Sequence, residues 1–163
     1  MAGEGEILAR LKEKFGAEAF QDLRIVRERV VRIAVDRTRL SALCAFLKET
    51  LDMEHLSSIT AVDWRDHYES VYHLTSWTRN VMVQINAWIP HEDPRIDSVT
   101  PLWSGADAHE REAYDLMGIV YDGHPNLTRV LLPRDFEYHP LRKDFPQETD
   151  RQYVSRRKIG GGG

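Results

Sequence analysis

The sequence predicts an α+β fold in which a mostly antiparallel sheet carries helices on one face and is followed by an extended, proline-rich C-terminal arm. Two observations support this prediction. Up to residue 90, the hydrophobic pattern runs in the order helix, strand, helix and then three strands. All seven prolines then fall between Pro90 and Pro146, where they restrict regular structure to short elements.

Two amphipathic helices are predicted in the first part of the chain. In residues 4–15 the apolar side chains recur at a spacing that places them on one helix face. Thr38 is a suitable N-cap for the second helix. The apolar stripe of that second helix consists of Leu40, Leu43, Leu47 and Leu51.

Four strands complete the predicted sheet. Alternation of apolar and polar residues is clearest in the last strand, where Val81, Val83 and Ile85 share a face. Short polar turns separate the last three strands, as in hairpins. The predicted bounds of the four strands are 25–35, 56–64, 68–77 and 81–89.

We divide the chain into three regions on this basis. Residues 1–90 form the α+β domain, residues 91–146 form the arm, and residues 147–163 form a flexible basic tail. An arm so rich in proline and loops cannot satisfy its own backbone polar groups internally unless something covers it or water does. A large partner is one way to meet this need, and the sequence leaves the alternatives open.

The best helix of the arm begins at Asp107 and ends at Met117. Asp107 is placed to cap its N-terminus in a box with Glu110, and Gly118 suits a left-handed C-terminal stop. The opposite, apolar face of the helix consists of Ala113, Leu116 and Met117.

The acids of this helix are interpreted as structural rather than catalytic. Arg111 lies four residues from Asp107 and four from Asp115, so one guanidinium is expected to bridge both carboxylates. The spacing of the acids and His109 lacks the pair of aligned ligands that a metal site needs. The sequence also has no glycine-rich phosphate loop, Cys-x-x-Cys or Gly-x-Ser-x-Gly. We therefore expect no catalytic residue, metal or cofactor on this chain.

Composition also points away from several protein classes. The longest charge-free stretch, Val81 to Pro90, is about half the length of a membrane-spanning helix. The acidic start of the chain lacks the features of a secretory signal, so we expect a chain that is soluble in itself. The single cysteine, Cys44, falls in an apolar helical pattern and is interpreted as a core residue in a reducing compartment.

Charge is distributed unevenly in this chain of net charge −4. Residues 129–158 carry eight Lys or Arg against five Asp or Glu, so a basic tail follows an acidic body. Such a tail suits RNA, an anionic membrane surface, an acidic partner or an ordinary solvated surface, and its charge does not choose among them.

The segment from Pro140 to Pro146 has the composition of a strap laid over a surface. Its two terminal prolines favour an extended backbone, and Leu141 offers an apolar anchor beside charged hydrogen-bonding groups. Arg129 similarly presents a guanidinium from an apolar segment. The surface beneath belongs either to a partner or to this chain, and both remain open.

Three motifs in a fixed order carry a family resemblance. They are Glu-Arg-Glu-Ala-Tyr-Asp-Leu-Met-Gly at 110–118, Gly-His-Pro at 123–125 and Pro-Leu-Arg-Lys-Asp-Phe-Pro at 140–146. In this order they resemble the 30 kDa subunit of respiratory complex I, the NADH:quinone oxidoreductase. Residues 98–103 also resemble the segment that precedes these motifs in that family.

The resemblance implies a structural subunit without a redox centre, at the cytoplasmic face of the cell membrane. It implies packing against the hydrogenase-like subunit of the complex, which helps form the quinone pocket, beside neighbouring iron–sulfur subunits. The positions expected at the partner contact are Glu110, Arg111, Glu112, Asp115, Gly118, His124, Pro125, Arg129, Pro140, Leu141, Arg142, Lys143, Asp144 and Pro146.

The parent complex is expected to use iron–sulfur clusters and quinone, with FMN and NADH if it is complex I. Ala108-His109 stands where the family usually has an aromatic pair, and Tyr138-His139 replaces a glycine-containing step. These departures keep an F420H2 dehydrogenase or an energy-converting hydrogenase open as alternative parents. A free RNA- or protein-binding module is a third alternative, although the strands lack an evident exposed aromatic pair flanked by basic residues.

Overall fold

The computed structural model describes residues 3–145. Within these residues, three α-helices and seven strands follow one another, with short 3₁₀ turns at Ala17–Ala19 and Arg37–Arg39. The helices are α1 (Glu4–Phe15), α2 (Leu40–Leu51) and α3 (Ala106–Met117). The strands are β1 (Asp22–Arg27), β2 (Val30–Asp36), β3 (His55–Asp63), β4 (His67–Ser76), β5 (Val81–Pro90), β6 (Arg95–Asp97) and β7 (Val120–Asp122).

The main sheet has five strands in the order β1-β2-β5-β4-β3. Every neighbouring pair is antiparallel except β2 and β5, which run parallel. A separate two-stranded parallel sheet is formed by β6 and β7. The predicted α+β class with a mostly antiparallel sheet is therefore confirmed.

The helices pack on one face of the main sheet and form one core with it. Alternate residues of β5 are buried and align with inward residues of β4 and β2, as Ile85 does with Tyr72 and Ile33. Ile7 and Leu11 of α1 and the leucine stripe of α2 belong to the same buried cluster. This burial offsets the backbone entropy lost in ordering the elements.

The segment 25–35 was expected to be one strand, and that prediction is wrong. It contains the end of β1, a tight turn and most of β2, which form an antiparallel hairpin. Arg29 adopts the left-handed conformation, with φ 63°, so an arginine occupies a turn position where glycine or asparagine is the usual signal. The turn is therefore hidden in a run that looks continuous in sequence.

The starts of two helices also differ from the prediction. Asp36, rather than Thr38, supplies the capping side chain, because its Oδ1 accepts a hydrogen bond from the Thr38 amide at 2.9 Å. A 3₁₀ turn follows before α2 begins at Leu40. Helix α3 begins at Ala106 after Gly105 and has no side-chain cap, so the expected capping box is absent.

The core continues beyond residue 90. Ile96, Val99, Trp103 and Tyr121 are buried in the same cluster as the sheet residues. The Trp103 indole N–H donates to the Met53 carbonyl at 3.2 Å, which fixes the segment before α3 against the end of α2. Residue 90 therefore does not separate two cores, while the partner-binding role of residues 91–146 stays a prediction.

Candidate functional site

Glu110 lies inside the protein with no exposed surface. Its Oε2 accepts a hydrogen bond from the Ser98 hydroxyl at 2.6 Å, and its Oε1 accepts one from the Val99 amide at 2.7 Å. Burial raises the pKa of Glu110 to about 7, because desolvation outweighs these two hydrogen bonds. The carboxyl group joins α3 to the segment that follows β6.

His124 packs beside this carboxyl group with a fully buried side chain. Its Nε2 lies 4.0 Å from Glu110 Oε2 and 3.4 Å from Asp107 Oδ1. Its Nδ1 accepts a hydrogen bond from the Asn126 amide at 3.0 Å. The Gly-His-Pro motif is therefore fixed against the first turns of α3.

Asp115 is the second buried acid of α3, and it anchors a loop. Its Oδ2 accepts hydrogen bonds of 2.8–3.0 Å from three successive amides, and its Oδ1 lies 2.7 Å from Arg129 Nη1. Burial alone raises the pKa of Asp115, but these amides and the guanidinium outweigh it and lower that pKa. The three amides belong to Val130, Leu131 and Leu132.

Arg129 and His139 fasten the chain that follows to the same end of α3. Arg129 Nη2 donates to the Tyr138 carbonyl at 3.1 Å. His139 Nδ1 lies 3.0 Å from the Asp115 carbonyl oxygen. Burial lowers the pKa of His139, so near-neutral pH favours its uncharged form.

The predicted strap crosses the C-terminus of α3. Gly118 ends the helix in the left-handed conformation, with φ +73°, as predicted. Arg142 Nε donates to the Met117 carbonyl at 2.7 Å, and the Leu141 amide donates to the Leu116 carbonyl at 3.0 Å. These bonds satisfy carbonyl groups that the helix end leaves free.

The strap also reaches the main sheet. The Lys143 amide donates to Asp63 Oδ2 at 2.8 Å, and the Arg142 guanidinium lies 5.3 Å from the centre of the Tyr68 ring. Of the two surfaces left open by the sequence, residues 139–143 therefore lie on this chain's own domain.

Arg111 makes one of its two expected ion pairs. It lies 3.7 Å from Asp107 and also donates to the Thr128 carbonyl and hydroxyl. Its expected pairing with Asp115 is wrong, because Asp115 turns inward to Arg129. The helical spacing predicts which acids lie near Arg111. It does not reveal that residues 129–132, from a later segment, donate to Asp115.

The positions expected at a partner contact divide into two groups. Glu110 and Asp115 expose no surface and hold other segments of this chain, so their expected part in a partner contact stays a prediction. Gly118 and the His124 side chain are buried, and Arg111, Arg129, Pro140 and Arg142 are partly buried. The exposed positions are Glu112, Pro125, Leu141, Lys143 and Asp144, whereas Pro146 lies outside the described residues.

The family described as the respiratory-chain NADH dehydrogenase, 30 Kd subunit, matches residues 33–151. The chain belongs to this family. The matched region includes all three motifs, so the resemblance drawn from them is confirmed.

Relatives in this 30 kDa family occur in more than one kind of complex. A NADH-quinone oxidoreductase subunit from Geobacter sulfurreducens is 39% identical over 157 residues, which cover 93% of this chain and 96% of the relative. A F(420)H(2) dehydrogenase subunit from Methanosarcina mazei is 37% identical over 155 residues, covering 91% and 97%. A chain in the structure of the membrane-bound sulfane sulfur reductase, an archaeal respiratory membrane complex, aligns with a TM-score of 0.79 at 25% identity, covering 97% and 92%.

The surface of this 30 kDa family member exposes several large apolar side chains on the segment that Asp115 holds. We call residues 127–145 the docking segment. Its exposed apolar side chains are Val130, Leu131, Tyr138 and Leu141, and Leu131 is 62% exposed. Sequence reasoning selected Leu141 but missed Val130 and Leu131, which it treated as the apolar surroundings of Arg129.

An aromatic row on the open face of the sheet was also missed. The His67 ring stacks between Trp64, at 6.4 Å, and Trp88, at 5.4 Å, and Lys143 Nζ lies 5.9 Å from the Trp64 ring centre. The strands therefore do carry aromatic side chains with a basic neighbour. The aromatic rings of this row contact each other, and the Trp64 indole N–H donates to Glu69, so their interactions are made within this chain.

Within residues 3–145, no three His, Cys, Asp or Glu side chains come together as a group that would hold a metal ion. The same part of the chain contains no helix that is long and apolar enough to cross a membrane.

Proposed function

We propose that this chain is a non-catalytic docking and assembly subunit in the peripheral arm of a proton-translocating NADH:quinone oxidoreductase of the complex I type. It packs on the hydrogenase-like subunit, beside iron–sulfur subunits, at the cytoplasmic face of the cell membrane. One observation carries the proposal: Asp115, an acid of the family motifs, holds the docking segment through Arg129 and the amides of residues 130–132, and this segment exposes apolar side chains.

The anchoring of this segment supports binding rather than catalysis. Asp115 is committed to four donors and Glu110 to two, so neither carboxyl group faces a substrate. A loop held by a buried carboxylate loses little conformational freedom on binding, which lowers the entropic cost of association. Leu131 and Leu141 supply apolar surface of the kind found at the centre of protein interfaces.

The proposed cofactors belong to the parent complex and not to this chain. Complex I chemistry implies NADH, FMN, iron–sulfur clusters and quinone on other subunits. The support is the relationship to proteins named as subunits of NADH-quinone oxidoreductase. This chain would stabilise the geometry of the quinone-reduction module without taking part in electron transfer.

A second parent complex has specific support. The Methanosarcina mazei relative is a subunit of an F(420)H(2) dehydrogenase, and its identity of 37% is close to the 39% of the Geobacter sulfurreducens relative. The archaeal sulfane sulfur reductase chain aligns along almost the whole chain. An F420H2 dehydrogenase or an energy-converting hydrogenase is therefore the alternative parent, with the same docking role.

Affinity purification of the tagged full-length chain from mildly solubilised native membranes tests this function. We expect recovery of a homologue of the hydrogenase-like subunit together with iron–sulfur subunits, identified by mass spectrometry. A flavin-containing NADH-oxidising subunit in the sample assigns complex I, and an F420-binding subunit or a nickel-containing hydrogenase subunit assigns an alternative. Recovery of the chain alone, or with RNA, contradicts the docking role.

A matched pair of variants locates the contact. Leu131→Asp places a charge on the docking segment, and Val26→Asp does the same at a similarly exposed valine of edge strand β1. We expect L131D to lower recovery of the hydrogenase-like subunit about tenfold or more while V26D has little effect, because charging a buried interface position costs more than about 1 kcal/mol. Equal recovery with both variants would show that the docking segment is not at the interface.

A further inference from the structure

Strand β3 is one edge of the main sheet, so half of its backbone polar groups face away from β4. The Trp64 amide donates to the His67 carbonyl, which identifies this pair as hydrogen-bonded in the antiparallel ladder. Because such pairs alternate, the amides and carbonyls of Thr60 and Val62 point to β4. Those of Ile59 and Ala61 point to the free edge.

Between Ser58 and Val62 this edge has no backbone pairing and no blocking residue. Among residues 3–145, no backbone hydrogen bond from another element reaches the outward groups of Ile59 or Ala61. Residues 56–62 contain neither a charge nor a proline, which are the usual means of blocking an edge strand. Strand β3 has one register shift with β4, between Leu56 and Ser58, before the outward groups of Ile59 and Ala61. The opposite edge, β1, exposes Arg24 and Arg27.

A groove of about 390 Å³ runs beside the free edge, between β3 and α3. Ala61 of β3, Ala113 and Leu116 of α3 and the exposed Leu141 give it an apolar lining. Glu112 lies at its rim, is exposed, and makes no hydrogen bond or ion pair within the described part of the chain. Backbone groups, an apolar slot and a free carboxylate therefore converge at one place.

We propose that an extended segment of another subunit pairs with the free edge of β3 as a sixth strand. It places an apolar side chain in the groove and a lysine or arginine beside Glu112. Only an extended backbone matches the spacing of the outward groups of Ile59 and Ala61. The inference rests on the proposed function, and it adds a contact distinct from the exposed apolar side chains at Val130 and Leu131.

A second copy of this chain fits the edge less well. Pairing of two β3 strands would bring together segments that contain no lysine or arginine between His55 and Asp63, so neither copy would offer Glu112 a cation from that strand. Charge complementarity therefore favours a strand with a basic residue in or beside it over the β3 strand of a second copy.

A photo-crosslinking experiment on the full-length chain in native membranes tests the proposal. p-Benzoylphenylalanine replaces Thr60, which is exposed and whose backbone remains paired with β4. We expect one crosslinked peptide from another subunit, containing an apolar residue close to a lysine or arginine. A crosslink to residues 146–163 of the same chain, to a second copy or to nothing would overturn the proposal.

Two further substitutions test the backbone pairing itself. Ala61→Pro removes an amide that faces the free edge and spares the ladder to β4, whereas Ala61→Val adds similar bulk and keeps the amide. We expect A61P to lower the crosslink yield about fivefold relative to A61V, as for loss of one backbone hydrogen bond. Equal yields would overturn strand pairing.

Hydrogen exchange gives a readout that does not depend on these variants folding. In the wild-type complex, we expect the Ile59 and Ala61 amides to exchange at least about tenfold more slowly than in the isolated chain. Unchanged exchange would overturn the inference. Recovery of the complex with neither crosslink nor protection would leave the proposed docking function standing, so the two failures are distinguishable.

Discussion

Two acids of one helix, Glu110 and Asp115, are both fully buried, yet their pKa values shift in opposite directions. The difference lies in the donors around them. Asp115 meets three amides and a guanidinium, which favour its charged form, whereas Glu110 meets one amide and one hydroxyl. A buried carboxylate is therefore a firm anchor at 115 and a titratable contact at 110.

Glu110 should make the stability of the folded chain fall as the pH rises. Its pKa is about 7 when folded and 4.5 ordinarily, so between these values the folded state holds a proton that the unfolded state has lost. Glu110→Gln imitates the protonated form. We expect its free energy of unfolding, relative to that of the wild type, to rise by about 2–3 kcal/mol as the pH increases from about 5 to about 8. Urea unfolding at several pH values measures this difference.

Glu112→Gln is the matched control for this experiment. Glu112 lies on the same helix but is exposed, so its substitution should leave the pH dependence unchanged. A constant stability difference between wild type and E110Q across the pH range would show that Glu110 is ionised in the folded chain throughout.

The sequence could not reveal these residue roles, although it selected the residues. Glu110 and Asp115 were chosen by their motif, but a charged residue in a helix is usually exposed. Burial depends on donors at 98–99 and 129–132, which lie 11 to 17 residues away in sequence. No local sequence pattern indicates a hydrogen-bond donor at such a distance.

At the scale of elements, helix α3 is the support on which the family motifs assemble. Its first turns meet His124, its buried face meets the core, and its C-terminus is covered by residues 139–142. A Cβ at Gly118 would lie 2.7 Å from His139 Cδ2 and 2.8 Å from Arg142 Nη2. Glycine at this position is therefore required both by the left-handed backbone and by the approach of the strap.

Comparison of two glycine substitutions separates these effects. Gly118→Ala has backbone strain and a clash with the strap. Gly123→Ala, at φ +81° with no atom of residues 3–145 within 4 Å, has backbone strain alone. We expect G123A to lower the free energy of unfolding by about 1 kcal/mol, and G118A to lower it by about 1–2 kcal/mol more. Residues 136–143 of G118A should also be cleaved faster by protease. Equal losses in urea unfolding would mean that the strap does not depend on Gly118.

Elements with a strong local period were predicted well, and elements defined by tertiary contacts were not. Helix α1 and strands β3, β4 and β5 lie within a residue or so of their predicted bounds, because each has a clear apolar period. The β1–β2 turn was missed because Arg29 replaces the expected glycine. Strands β6 and β7 have three residues each, too few to show alternation in sequence.

At the scale of the whole molecule, the prolines after residue 90 predicted an extended arm but left open what covers it. Prolines mark where regular structure stops, but they do not say whether the residues between them are buried. The Tyr121 hydroxyl is hydrogen-bonded to the Ser70 hydroxyl of β4 at 3.1 Å, and the Trp103 indole to the Met53 carbonyl. The segment after residue 90 therefore completes the core through residues about 50 positions earlier in sequence. Sequence patterns within short windows cannot detect such pairings.

This arrangement predicts how truncated chains behave. Eight of the 29 core side chains in residues 3–145 follow residue 90, so fragment 1–90 leaves one side of the helix–sheet core exposed. We expect fragment 1–90 to lack a cooperative urea transition and near-ultraviolet circular dichroism, because losing several buried side chains at about 2–5 kcal/mol each exceeds the stability of a small domain. Fragment 1–127, which keeps all 29 side chains but loses most of the docking segment, should unfold cooperatively at a lower urea concentration than the full-length chain. A cooperative transition in fragment 1–90 would instead place a true domain boundary at residue 90 and would make the later core contacts dispensable.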